Sequence, residues 1–259
     1  MNWQFLNPDP KLVNRLKKEF KSSEIIARVL ANRGFQSVDS SKDFFNPQLS
    51  QLNNPFDMKD MDIATNRIIS SINSKTPIMI YGDYDVDGTT AVALVYTYFH
   101  SFYDLIDFYL PDRYAEGYGI SFQSIDYAKE NDFTLIIALD CGIKAVEKIQ
   151  YASEKNIDFI ICDHHTPGDT IPDAIVLNPK QADCEYPFKE HCGCGVGFKF
   201  AQAVNQTRGN EFEEIYHLLD LVMVAIGADI VSMSGENRIL AYYGLHLLNN
   251  TPRIGFEAL

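Results

Sequence analysis

The chain is 259 residues long, 46% apolar and carries a formal net charge of −13: enough apolar material for a sizeable core, and no broad basic face for a polyphosphate partner. No window approaches the ~18 unbroken apolar residues of a membrane span and no secretory apolar core opens the sequence, so a soluble, cytoplasmic protein without membrane contact is expected. The five cysteines (Cys141, Cys162, Cys184, Cys192, Cys194) are an odd number outside a secretory context, which favours free thiols over disulfides.

Residues 1–54 read as a helical N-terminal layer. Apolar residues recur at helical spacing over 10–16, Ser23 caps a second helix over 23–30, and a third is expected over 40–45. Asn53-Asn54-Pro55 marks a boundary, and 58–74 then reads as a helix with Met61, Ala64, Ile68 and Ile72 on one face. From Thr76 strands and helices alternate. Strands are expected over 78–81, 105–110, 135–139, 159–162 and 174–177, with helices over 90–102, 122–131 and 143–155. Such alternation predicts an α/β fold over 55–235: a doubly wound, mostly parallel sheet flanked by helices. After Asn178-Pro179 a loop rich in Cys, Tyr and Pro runs to about Gly195, followed by helices over 196–207, 211–226 and 237–248. Residues 236–259 read as a helix leading to a downstream domain of a longer protein, since apolar residues follow the turn at Pro252.

Chemistry concentrates at the strand ends. Asp83, Asp85 and Asp87 follow the first strand at alternate positions, with no basic residue nearer than Lys75 on that side. Three carboxylates so close repel one another, and a divalent ion with oxygen ligands, Mg²⁺ or Mn²⁺, is the simplest way to hold them. Asp140 follows a later strand, and Asp163-His164-His165 the next one. Parallel neighbours bring these ends into one crevice, where Asp and His groups suit two metals ~3.5–4 Å apart, the arrangement that clamps a phosphoryl displacement. Asp163 is placed either as a ligand or behind one, orienting an imidazole.

Other signals are weaker. His191-Cys192-Gly193-Cys194 has poor spacing for structural zinc and reads as a tight turn of buried thiols. Tyr96, Tyr98, Phe99, Phe102 and Tyr103 lie at helical spacing and read as core packing. Tyr118, in a glycine-flanked loop, is a stacking candidate. No Gly-x-Ser-x-Gly elbow supports a serine nucleophile.

The run from Asp83 to Gly88, Asp140-Cys141-Gly142, Asp163-His164-His165, and the stretch from Asp220 to Val231 resemble the four motifs of the DHH phosphoesterases. Leu110-Pro111-Asp112-Arg113, Gly193-Cys194-Gly195 and Gly235-Glu236-Asn237-Arg238 are similar to its RecJ branch of single-strand-specific exonucleases. The resemblance implies Asp83 and Asp85 on one Mn²⁺ or Mg²⁺ and Asp87 near a second. It implies Asp140 as bridge, His164 on the second ion and Asp229 completing the first site. His165 would contact the scissile phosphate, Asp163 would buttress, Arg113 would meet a substrate phosphate, and Gly193 and Gly195 would form a backbone turn beside it. The implied reaction is hydrolysis of single-stranded DNA from its 5′ end, in DNA repair and recombination, with DHH-associated and OB-type domains expected downstream. Two alternatives are a phosphoesterase for short oligonucleotides, cyclic dinucleotides or pyrophosphate, and a silent scaffold of the same fold.

Overall fold

Three short helices build the first unit, which ends at Gln51: α1 (Pro10–Glu19), α2 (Glu24–Asn32) and α3 (Val38–Phe45). In the computed structural model, which describes residues 4–259, Ser23 Oγ accepts from the Ile26 N–H at the start of α2. Ser37 caps α3 in a reciprocal pair with Ser40, so α3 begins ahead of the expected start at 40. Val13, Leu16, Ala27 and Leu30 form this unit's core, with Phe20 and Phe35 packed on it.

Leu52–Leu259 is the second unit. Its first helix, α4 (Met61–Asn73), starts at Met61 and not at 58, because Asp60 lies in the left-handed region (φ 63). Then follow β1 (Ile78–Gly82), α5 (Val86–His100), β2 (Ile106–Tyr109), α6 (Phe122–Glu130), β3 (Leu135–Leu139), α7 (Val146–Glu154), β4 (Asp158–Cys162) and β5 (Ile175–Leu177). The chain ends in α8 (Gly193–Thr207), α9 (Glu213–Tyr216), α10 (Leu219–Ala228), α11 (Gly235–Asn250) and α12 (Ile254–Glu257).

All strand pairs are parallel, in the order β2-β1-β3-β4-β5. Alternating side chains face two helical layers. Met79, Tyr81, Ile136, Ala138, Phe159 and Ile161 pack against Ile125 and Ala128 of α6 and Ile149 and Ala152 of α7. On the other side α5, α8 and α10 pack on one another, and α5 and α8 also on the strands. The sheet is doubly wound as expected. The register aligns Gly82, Leu139 and Cys162 across three neighbouring strands, so the residues that follow them emerge together, at the point where the strand order reverses and such sheets bind ligands.

Boundaries near the strand ends and beyond them move as well. Asp85 caps α5 by accepting from the Gly88 N–H at 2.9 Å, so the helix starts at Val86, ahead of the expected 90, and includes Asp87 and Gly88. α8 starts at Gly193, which places Gly193 and Gly195 in a helical turn and not in a loop. The helix expected over 211–226 breaks between α9 and α10. The terminal segment packs through α11 on α10, and Arg253 grips Asp220 with two bonds of 2.6 Å. No helix among the described residues is long and apolar enough to cross a membrane. All five cysteines are free and buried.

Candidate active site

The turn after β1 is folded tightly on itself. A Cβ at Gly88 would fall 2.4 Å from the Asp83 carbonyl oxygen, so only glycine admits this path. Asp83 is fully buried: Oδ1 accepts from the Tyr84 N–H, and Oδ2 has no hydrogen-bond partner. Asp87, in the first turn of α5, accepts from the Gly193 N–H at 2.6 Å and the Cys194 N–H at 2.8 Å, both at the amino end of α8, where helix N–H groups favour an anion.

Asp140, just past β3, adopts a left-handed backbone (φ 59), an uncommon state for aspartate, held by its N–H to the Cys162 carbonyl. A Cβ at Gly193 would lie 2.5 Å from both Asp140 Cβ and Oδ1, so the start of α8 is pressed onto this carboxylate. His164 Nε2 is 3.1 Å from Asp140 Oδ1, yet that oxygen has no hydrogen bond. The same nitrogen lies 3.7 Å from Asp87 Oδ2 and 3.7 Å from Asp229 Oδ2, at the end of α10. Two sets of donors thus gather within 4.8 Å: Asp87, His164 and Asp229, and Asp140, His164 and His165. Asp83 and Asp85 belong to neither set.

Asp163 has no oxygen to spare. Oδ1 accepts from the His164 and His165 N–H groups and from His165 Nδ1 at 2.7 Å, and Oδ2 from the Ile143 N–H. It orients the double histidine. His165 Nε2 then sits 3.2 Å from the Tyr118 hydroxyl, whose ring is 59% exposed and meets Tyr84 edge-on. The Arg113 guanidinium lies 5.2 Å from the centre of the Tyr84 ring. Beside His165, Lys144 and Lys148 help to line an open pocket of about 210 Å³. The expected phosphate contact at Gly193 and Gly195 finds no donor, since their N–H groups serve Asp87 and the Cys192 sulfur.

Charge is out of balance here. Burial, and then Asp229 and Asp85, push Asp87 up to about 6 against the pull of the two helix N–H groups. Burial and the neighbouring carboxylates, Asp87 first, drive Asp140 far above the usual carboxylate range. Asp229 is raised by burial and by Asp85. Burial and the charge of His165 hold His164 down to about 4, so its imidazole is neutral and able to ligate at pH 7. Burial would raise Asp163, but His165 and the Ile143 N–H keep it low, and the same bond raises His165. Hard oxygens, a neutral imidazole and a buried carboxylate oxygen left without a partner fit a divalent cation.

Sequence reasoning missed Tyr84, Lys144, Lys148 and Lys180. Lys180, whose charge reaches His164 and Asp229, follows the end of β5, so the strand-end rule that found the aspartates applies to it too. Tyr84 lies between two singled-out aspartates.

Among proteins of known sequence, the single-stranded-DNA-specific exonuclease RecJ of Bacillus subtilis (strain 168) is 39% identical over the whole of this chain, which spans 32% of that protein. A crystal structure of exonuclease RecJ bound to manganese superposes with a TM-score of 0.73 at 27% identity, covering 82% of this chain and 52% of that one. RecJ from Thermus thermophilus in complex with Mn²⁺ shares the fold, with a TM-score of 0.77 at 24% identity over 97% of this chain and 35% of that one. This chain therefore spans about a third of the length of the Bacillus subtilis relative. Residues 77–226, from the start of β1 almost to the end of α10, match the DHH family, N-terminal domain, and by that match the chain belongs to the DHH family.

Proposed function

We propose that this chain is the catalytic core of a metal-dependent phosphodiesterase that degrades single-stranded DNA from its 5′ end. The observation that carries the reading is the convergence of Asp87, Asp140, His164 and Asp229 on one centre at the strand ends, where Asp140 Oδ1 and His164 Nδ1 have no hydrogen-bond partner. These four side chains would hold two Mn²⁺ or Mg²⁺ ions, with Asp83 and Asp85 adding carboxylate charge from the same turn. Such ions, when bound, lower the pKa of water toward neutrality and offset charge on the leaving oxygen.

The chain's own groups do the rest. Asp163 fixes the His165 ring and raises its affinity for a proton, and in its charged form the Nε2 side would donate to a phosphate oxygen. Asp163 leaves the neighbouring His164 free to ligate. Arg113 would meet a phosphate at the rim, and Tyr118, beside Tyr84, would stack on a base. In a longer cytoplasmic protein, DHH-associated and OB-type domains would grip the rest of the strand, which an acidic core holds poorly.

The test is degradation of a long single strand, its duplex and a dinucleotide, with Mn²⁺ and with chelator. Metal-dependent loss of the long single strand supports the reading. Preference for the dinucleotide would move the activity to short oligonucleotides, and no hydrolysis of any of the three would overturn it.

A further inference from the structure

Behind the site lies a second cluster of charge. Glu236, in the first turn of α11 and 2% exposed, has both carboxylate oxygens fully engaged. Oε1 accepts from the Asn53 N–H at 2.9 Å and from Lys199 Nζ at 3.1 Å. Oε2 accepts from the Tyr186 hydroxyl at 2.6 Å and pairs with His191 Nε2 at 3.0 Å. Tyr186, His191 and Lys199 are all wholly buried. The next residue, Asn237, donates to the Glu190 carbonyl.

These partners are not scattered. Lys199 belongs to α8, and Tyr186, Glu190 and His191 to the segment that leads into it. Glu236 thus holds α8 at two places, along its length and just before its first turn. That first turn gives Asp87 its two N–H donors and presses Gly193 onto Asp140. The element carrying Glu236 follows directly on the link from Asp229. We infer that Glu236 is a positioning residue for the metal centre: through Lys199, His191 and Tyr186 it sets the seat of α8, and α8 sets where Asp87 and Asp140 point. This rests on the reading of Asp87 as a metal-site carboxylate.

A side chain that served stability alone would leave metal affinity untouched once the protein is folded. The experiment is titration calorimetry with Mn²⁺, well below the melting midpoint, on the parent, Glu236→Gln, Tyr186→Phe and Asp87→Asn, with near-ultraviolet circular dichroism to confirm folding. Residues that orient metal ligands typically contribute 10–100-fold in affinity. Glu236→Gln should therefore weaken Mn²⁺ binding by about 10–100-fold, and Tyr186→Phe, which removes one of the four bonds and keeps the ring, by a few-fold. In turnover, kcat at fixed Mn²⁺ should fall while KM for the strand stays put. Folded Glu236→Gln and Tyr186→Phe proteins that bind Mn²⁺ as tightly as the parent would overturn the inference. If Glu236→Gln does not fold, parental affinity in Tyr186→Phe alone overturns it. Asp87→Asn separates the two readings: weak binding there with parental binding in the other variants removes only the role of Glu236, whereas parental binding in Asp87→Asn removes the metal site beneath it.

Discussion

Two groups of charge sit in one unit of this protein, and they are built in opposite ways. At the strand ends Asp87, Asp140 and Asp229 gather with a neutral histidine, and among the described residues no lysine or arginine forms an ion pair with any of them. At the start of α11, Glu236 is saturated by a lysine, a histidine, a tyrosine and a backbone N–H. Burial would raise it too, but His191, Lys199 and Tyr186 hold it far below the usual carboxylate range. One cluster is complete without a ligand. The other is destabilised until cations arrive. A deficit of partners in a buried site thus marks binding, and a full set marks construction.

The sharpest way to break this contrast is to remove a side chain from the deficient cluster. Asp140→Ala or His164→Ala should abolish nearly all hydrolysis and leave the protein folded by circular dichroism; activity within a few-fold of the parent would mean the site lies elsewhere. Lys199→Met tests the complete cluster. It strands a buried carboxylate, and broken buried pairs typically cost about 3–5 kcal/mol, so the melting midpoint should drop by roughly 10 °C at about 2–4 °C per kcal/mol. An unchanged midpoint would show that Glu236 does not need its lysine.

Metal should act only on the deficient cluster. At about 100 times its dissociation constant each ion adds about 2.7 kcal/mol to the folded state, so excess Mn²⁺ should raise the midpoint by several degrees over chelated protein. Asp163→Ala should cost about 10–100-fold in activity, less than Asp140→Ala, because Asp163 only orients the histidines; equal losses would make it a ligand. The smallest effect carries a definite sign. Asp87 and Asp140 titrate above their unfolded value of about 3.9. Their contribution is therefore full below that value and is lost as pH rises through the folded values, about 6 for Asp87. Chelated protein should lose stability as pH rises from about 4 through about 6, and chelated Asp140→Asn should lose less and melt at or above the parent. Flat pH curves for both would show that the carboxylates do not repel.

Much of the site was legible because it obeys a short-range rule. Asp83, Asp85, Asp87, Asp140 and Asp163-His164-His165 each follow an apolar run that the composition marks as a buried strand, and parallel order brings such ends together. Asp229 follows a helix, so no strand pattern points to it; only the motif resemblance did. Gly88 reads as a helix breaker, which hid the true start of α5. There the Asp85 cap outweighs the propensity cost of one glycine, about 1 kcal/mol. Of the Glu236 cluster only the resemblance at 235–238 was legible, and none of its partners: Asn53 and Glu236 lie 183 residues apart, and neither hydrophobic period nor spacing links a buried glutamate to its lysine before the fold exists.

The strand order also governs how the site can come into being. Pairing β1 with β2 needs only the crossover through α5, but the acidic turn at Asp83–Asp87 meets Asp140 only when β1 also pairs with β3, and meets Asp229 only after α10 has docked on α5. Contacts of long sequence separation form slowly, because loop closure must precede any gain from them. A chain that has closed only its first crossover carries the crowded aspartates without the histidine. Tight Mn²⁺ capture during refolding would therefore time the arrival of the last helices, and not the collapse of the sheet.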